Sequence, residues 1–282
     1  MKVVLVYNEK SGGAYTLDDL KMFFNSSRIA VIRAIKMDDR LRFHLNPFIR
    51  AGETIAVVGG DGTISAIAGL VADTDAVLAP LPGGTLNHFT KDLGIPQDIA
   101  DAIQNLAYSK VLNVDMATVN DTVFINNSSL GLYPSSVHER SKTEKYLGKW
   151  LAAVVAAIKV LVRFRLYRVK INGKTYQTPF VFIGNNRYKL DGMGVSERSK
   201  LDDGVLSVFV ARTTSRMILF KIALLSLVGK SHLLEEFDEF YASQLMVRTS
   251  HRNLRISRDG EVVWARSPLH YKIHAKSLKI RL

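Results

Sequence analysis

Ile55-Ala56-Val57-Val58-Gly59-Gly60-Asp61-Gly62-Thr63, followed by the helix-like run Ile64 to Val71, is the stretch on which the fold turns. The apolar, β-branched start specifies a buried strand, and the run beyond the glycines specifies a helix. Gly59, Gly60 and Gly62 let backbone N–H groups close around an anion, because no Cβ blocks approach or a positive φ. The helix start adds unpaired donors and a favourable dipole, a common means of holding phosphate. Asp61 would repel phosphate, so its use there is through a Mg²⁺ ion or a bridging water. The same residues also fit a plain strand-to-helix turn that needs glycine. One such turn supports phosphate binding only weakly.

Two further loops repeat the context. Val3 to Tyr7 reads as a strand and leads into Asn8-Glu9-Lys10-Ser11-Gly12-Gly13. Val77 to Leu81 reads as a buried strand and leads into Pro82-Gly83-Gly84-Thr85-Leu86-Asn87, then a short helix ending near Gly94. Ligands of open parallel sheets sit at the carboxyl ends of strands. Three polar, glycine-bearing loops after strands therefore favour a nucleotide phosphate site over turn chemistry alone.

Up to about Asn113, strand runs at Val3 to Tyr7, Ile29 to Lys36, Thr54 to Val58 and Val77 to Leu81 are separated by amphipathic stretches such as Leu17 to Asn25 and Ile99 to Ala107. That alternation implies a doubly wound, mostly parallel α/β domain over 1–113. Over 114–282 short β-rich runs dominate, punctuated by Asn120-Asp121, Asn172-Gly173 and Asp203-Gly204. They imply an antiparallel β-sandwich domain, with a last strand at about 275–282 that packs back on the first. Two apolar helical stretches interrupt it, from Tyr146 to Phe164 and from Met217 to Val228. The first carries a basic stripe and fits either core packing or an anionic bilayer surface; the second reads as core.

The 282 residues allow one large domain or two modest ones, and 47% hydrophobic content is ample for a core. The absence of cysteine excludes disulfides and thiolate chemistry and suits a cytoplasmic protein. No signal-peptide layout and no run of about 20 apolar residues is present. Of the net charge of +12, Arg140 to Lys200 supplies most, with 14 basic against 3 acidic residues, a surplus of 11. An anionic partner or a merely solvated basic face both fit that asymmetry.

Lys200-Leu201-Asp202-Asp203-Gly204-Val205 reads as a turn, or as carboxylates and carbonyls suited to a hard cation. Arg258-Asp259-Gly260-Glu261 reads as an Asp-Gly hairpin turn. In extended chain it would instead put Asp259 and Glu261 on one face, where one could act as a base and the other tune it.

These pieces, in this order, resemble the diacylglycerol kinase catalytic family over essentially the whole chain. The most specific matches are Gly59 to Thr63, Pro82 to Phe89, Lys200 to Leu206 and Asp259 to Glu261. The first is shared with NAD kinases and phosphofructokinases, and the resemblance implies that type of fold. It further implies ATP- and Mg²⁺-dependent phosphorylation of a lipid hydroxyl in a cleft between the α/β domain and the sandwich. Asn8, Ser11, Gly12, Gly59, Gly60, Asp61, Gly62, Thr63, Gly84, Thr85 and Asn87 would hold the nucleotide. Asp259 would be the general base with Glu261 beside it, and Asp203 would bind a structural Mg²⁺ with the carbonyls of Lys200 and Val205. The chain departs from the family pattern at Glu9 (commonly proline), His88 (often aspartate) and Lys91 (frequently arginine).

The implied partners are a lipid alcohol and, peripherally, an anionic inner membrane surface. Diacylglycerol, sphingosine, ceramide and polyprenol alcohols remain open, as does a homodimer. An NAD kinase-like small-molecule kinase and a non-catalytic lipid or nucleotide sensor are the competing readings. Nucleic acid is not an expected partner, because no nucleic-acid motif accompanies the charge.

Overall fold

Strands and helices alternate along the first hundred residues of the computed structural model, which describes residues 1–13, 15–131, 165–191, 194–198, 200–215, 217–218 and 237–282. The chain divides into two compact units, residues 1–116 with 274–282, and residues 117–273.

In the first unit, β1 (Lys2–Tyr7), β2 (Ala30–Lys36), β3 (Thr54–Gly59) and β4 (Val77–Pro82) form a parallel sheet in the order β2-β1-β3-β4. The end of the last strand, β18 (Leu269–Arg281), joins β4 in parallel through Ile280 and Leu78. β3 is buried at every position and β1 at all but its first, as strands covered on both faces must be. Val3, Leu5, Ala56 and Val58 pack with α1 (Leu17–Asn25) and α5 (Ile99–Leu106). By the two-residue alternation of strands, Val4, Val6, Ile55 and Val57 face the other way, where α3 (Asp61–Val71) covers β3 and β4. α2 (Leu41–Arg50) packs on α3 and β2, burying Leu41, Leu45 and Ile49 on one stripe although Pro47 lies within it. α1 starts at a capping box in which Thr16 and Asp19 satisfy each other's backbone N–H groups. Chain order reverses between β1 and β3, so this unit is doubly wound and its switch point lies at those two strand ends.

The second unit is built on two antiparallel sheets. One has the order β14 (Phe237–Ala242), β13 (Leu206–Ala211), β10 (Phe180–Asn185), β7 (Asn127–Gly131), β16 (Asn253–Arg258) and β17 (Glu261–Arg266). The other runs from the first part of β18 through β15 (Gln244–Thr249) and β8 (Tyr167–Ile171) to β9 (Lys174–Thr178). Beside it lie the end of β5 (Val111–Val119) and β6 (Thr122–Phe124). β11 (Tyr188–Asp191) and β12 (Gly194–Arg198) make a separate ribbon. Leu130, Val181, Ile183, Val208 and Ile256 of the first sheet meet Phe124, Val169, Val247 and Tyr271 of the second in one core. This is a β-sandwich.

Among the described residues, three hairpins turn on two residues: Asn120-Asp121, Asn172-Gly173 and Asp259-Gly260. All six residues have positive φ, from 46° to 93°, the type I′ geometry that matches the twist of paired strands. The apolar stretch 146–164 lies outside the described residues, as does 217–228 apart from Met217 and Ile218. The basic segment 140–200 lies partly outside them.

Candidate active site

The loops after β1, β3 and β4 lie against one another at the carboxyl ends of their strands. Asn8 Nδ2 donates to Thr63 Oγ1 at 3.0 Å, tying the first loop to the first turn of α3. Ser11 donates both its backbone N–H and its hydroxyl to the Asn8 carbonyl, at 3.0 and 2.7 Å. Gly13 N–H bonds the Gly83 carbonyl at 2.9 Å, and Gly83 N–H bonds the Gly59 carbonyl at 3.0 Å.

The glycines serve this convergence. A Cβ on Gly84 would stand 2.5 Å from Gly60 Cα, and one on Gly12 would stand 2.2 Å from Thr85 Oγ1. None of Gly12, Gly59, Gly60, Gly62 and Gly84 has a positive φ. Of the two uses expected of these glycines, close approach is the one observed and positive φ is not: the bare Cα lets one loop's backbone approach the next.

Asp61 is almost wholly buried, and its carboxylate accepts the backbone N–H groups of His88 at 3.1 Å and Phe89 at 2.9 Å. These are the first amides of α4 (His88–Asp92), whose N-cap residue Asn87 is left-handed and makes no side-chain cap. Asn87 instead turns Oδ1 to the Gly84 N–H at 2.8 Å. Asp61 thus caps a helix from across the site, binding the β3 loop to the β4 loop. At the departure His88, the backbone N–H meets Asp61. A second departure, Glu9, pairs with Lys36 at the end of β2, and that carboxylate raises the Lys36 ammonium above its ordinary value. Both side chains are well exposed, so the pair adds little stability.

The observed cradle fits a phosphate chain. α3 opens at Gly60, which has no side chain to cap the amides of the first turn. Those N–H groups and the helix dipole lie where the three loops meet.

In the second unit, Asp259 sits in the turn between β16 and β17 with φ +47°. The hairpin-turn reading of Asp259-Gly260 holds, and the alternative of an extended chain with Asp259 and Glu261 on one face does not: a type I′ turn carries Asp259 out of the strand, and Glu261 begins β17 opposite Arg258. The Asp259 carboxylate accepts three backbone N–H groups, from Ile125 at 3.0 Å, Asn126 at 2.8 Å and Asn127 at 3.2 Å. Its own N–H returns to the Asn127 carbonyl at 2.9 Å.

A buried arginine holds the same segment. Arg198 Nη1 donates to the carbonyls of Ile125 at 2.7 Å and Asn185 at 3.1 Å, and Nη2 donates to Asn126 Oδ1 at 2.8 Å. Asn185 N–H bonds the Asn126 carbonyl at 2.9 Å, and Asp203 N–H bonds Asn186 Oδ1 at 2.9 Å. Asp259, Asn126, Asn185, Asn186 and Asp203 therefore form one polar chain. Arg198, Asn126 and Asn185 carry no motif, and only the fold brings them together.

Among the described residues Asp203 Oδ2 is buried and accepts no hydrogen bond, and Arg187 Nε lies 4.0 Å from it. An orphaned carboxylate oxygen fits a hard cation such as Mg²⁺. Lys200, three residues earlier, is exposed, and the Val205 carbonyl already accepts the Asn186 N–H at 2.9 Å. A carbonyl has a second lone pair for a metal. Among the described residues no cluster of three or more His, Asp or Glu side chains is present.

Family models match the two halves of the chain. The diacylglycerol kinase catalytic domain matches residues 2–119, and the YegS C-terminal NAD kinase beta sandwich-like domain matches residues 131–282. The chain belongs to the diacylglycerol kinase family, with a YegS-type C-terminal domain. Among its relatives, a diacylglycerol kinase of Bacillus subtilis (strain 168) is 26% identical over 221 residues, 76% of this chain and 72% of that one. A "Probable lipid kinase YegS-like" of Enterobacter sp. (strain 638) is 33% identical over 168 residues, 55% of each chain. A crystal structure of a diacylglycerol kinase from Bacillus anthracis str. Sterne superposes with a TM-score of 0.67 at 23% identity, covering 99% of this chain and 96% of that one. That likeness shows the family's fold.

Proposed function

We propose that the protein is an ATP- and Mg²⁺-dependent lipid kinase that phosphorylates the hydroxyl of diacylglycerol or a similar long-chain alcohol. The observation that carries the reading is the fused set of loops after β1, β3 and β4, joined by Asn8, Asp61 and backbone contacts around the open start of α3. Family membership supports the same activity.

ATP supplies the transferable γ-phosphoryl group. The residues assigned to hold it are Ser11, Gly12, Gly59, Gly60, Gly62, Thr63, Gly84 and Thr85, with Asn8, Asp61 and Asn87 fixing the loops. Phosphoryl transfer needs little covalent help from protein groups and depends mainly on alignment and neutralisation of charge. A cradle whose loops brace one another meets that need, since misplacement by an ångström is costly.

Asp259 is assigned the role of general base toward the lipid hydroxyl, and Glu261 that of its neighbour. Three backbone N–H groups fix the orientation of the Asp259 carboxylate, which a positioned base requires. Asp203, with the carbonyls of Lys200 and Val205, is assigned a structural Mg²⁺ that completes the polar chain leading to Asp259. Long-chain alcohols stay in the bilayer, so the enzyme works at its surface. Among the described residues no helix is long and apolar enough to cross a membrane.

Phosphorylation of lipid alcohols in mixed micelles, with NAD as a control acceptor, tests the reading. It predicts labelled lipid and no labelled NAD; labelled NAD alone would replace it with a small-molecule kinase.

A further inference from the structure

The β16–β17 hairpin lies at the edge of its sheet, and one side of it is largely exposed, with Ser257 buried near the turn. Directly opposed residues share a face, so the pairs Arg255↔Trp264, Asn253↔Arg266 and Ser257↔Val262 lie together. Leu254, Ile256, Val263 and Ala265 take the opposite face and pack into the sandwich core. On the outer side Trp264 is 68% exposed and Val262 54% exposed. An indole is among the largest apolar groups a chain can bury, so one left in water on an edge strand needs a reason. The Arg255 guanidinium lies 4.9 Å from the Trp264 ring centroid. That outer face carries Arg255 and Arg266 and no acidic residue of β16 or β17.

We propose that the outer face of this hairpin seats the protein on an anionic bilayer, with Trp264 and Val262 entering the interface and Arg255 and Arg266 meeting lipid phosphates. The proposal rests on the lipid kinase reading and gives that enzyme its docking surface. Tryptophan favours the headgroup boundary, where its ring is in hydrocarbon and its N–H is wet. Arginine stems lie along apolar surface while the guanidinium stays with phosphate. The placement also suits the chemistry. Asp259 occupies the turn that opens β17, so at about 3.4 Å per residue Trp264 lies within roughly 17 Å of it. A lipid hydroxyl at the boundary would be close to that carboxylate.

The test uses the two tryptophans of the chain, Trp150 and Trp264. In a Trp150→Phe variant, Trp264 emission should shift to the blue on vesicles containing phosphatidylglycerol and be quenched by lipids brominated in the acyl chain. It should not respond to pure phosphatidylcholine vesicles. Trp264→Phe, which keeps Trp150, should weaken partitioning, and Arg255→Ala and Arg266→Ala should each lower it roughly fivefold. Silent Trp264 emission from protein that sediments with anionic vesicles would overturn the proposal, as would no sedimentation at all. A blue shift without vesicles, accompanied by doubling of the mass, would give the face to a second copy and overturn it too. Phosphorylation of a water-soluble short-chain alcohol by the unaltered protein reads the kinase assignment separately. Its absence alongside an inserting Trp264 would sink that assignment and leave the surface standing.

Discussion

The Asp61 carboxylate accepts the backbone N–H of Phe89 at 2.9 Å, so a residue at the start of α3 caps α4, 28 positions away in sequence. The aspartate of the glycine-rich loop is thereby a structural tie between the β3 loop and the β4 loop. Replacing it with alanine leaves two amide groups of α4 without a partner. Asp61→Ala should destabilise the protein by about 2–3 kcal/mol, the loss of a cap plus unsatisfied N–H groups. Urea unfolding without nucleotide or Mg²⁺ measures this. An unchanged midpoint would mean that the contact contributes nothing.

Gly84 tests the convergence of the loops differently. Its Cα approaches Gly60 so closely that a Cβ would stand 2.5 Å from the Gly60 Cα, a backbone atom that cannot swing aside. Gly84→Ala should cost about 1–3 kcal/mol through overpacking and weaken ATP-analogue binding. Calorimetry on the folded variant reads the second effect. Normal affinity would show that loop spacing does not govern the nucleotide site.

Much of the architecture is legible in the sequence, and the reasons differ by element. α1 is read at Leu17 to Asn25 because its amphipathic periodicity is clean. α2 is obscured by Asn46-Pro47, a pair that reads as a breaker, although Leu41, Leu45 and Ile49 still form a buried stripe. β14 and β17 sit at sheet edges with half-exposed, charged sequences that carry little hydrophobic alternation. The glycine loops are visible as motifs, but their physical use is not. Whether a glycine serves left-handed backbone or close approach depends on what lies across from it. Asp259 shows the same limit. Asp-Gly is a readable hairpin turn, whereas the three amides that hold its carboxylate come from a segment more than 130 positions earlier.

Arg198 is invisible to motif reasoning for that reason too. Its guanidinium bonds Ile125, Asn185 and Asn126 within the polar chain that reaches Asp259. A lysine has neither the planar fork nor enough donors fixed in direction to serve all three. Arg198→Lys should lower kcat more than KM and reduce stability by about 1–3 kcal/mol. Equal kcat in the variant would show that this clamp does not position Asp259.

Tyr271 sets an alkaline limit. Its ring is buried in the sandwich core, its hydroxyl lies 3.1 Å from Ser128 Oγ, and burial pushes the phenol far above its ordinary value of 10.0. Below that value the phenol is neutral in both folded and unfolded chains. Above it only the unfolded chain releases the proton, so stability falls as pH rises past about 10. Tyr271→Phe should flatten this limb at a cost of about 1 kcal/mol at neutral pH. Thermal unfolding between pH 8 and 11 measures it, and identical slopes in the two proteins would remove Tyr271 as the cause.

The most direct measurement compares the unaltered protein with Asp259→Asn for transfer of labelled phosphate from ATP to diacylglycerol in mixed micelles. Circular dichroism and ATP-analogue binding would confirm that both are folded and loaded. The account predicts labelled lipid from the unaltered protein and a rate lower by about 10²–10⁴ in the variant, with nucleotide affinity preserved. Lipid labelling at the full rate by Asp259→Asn would contradict it.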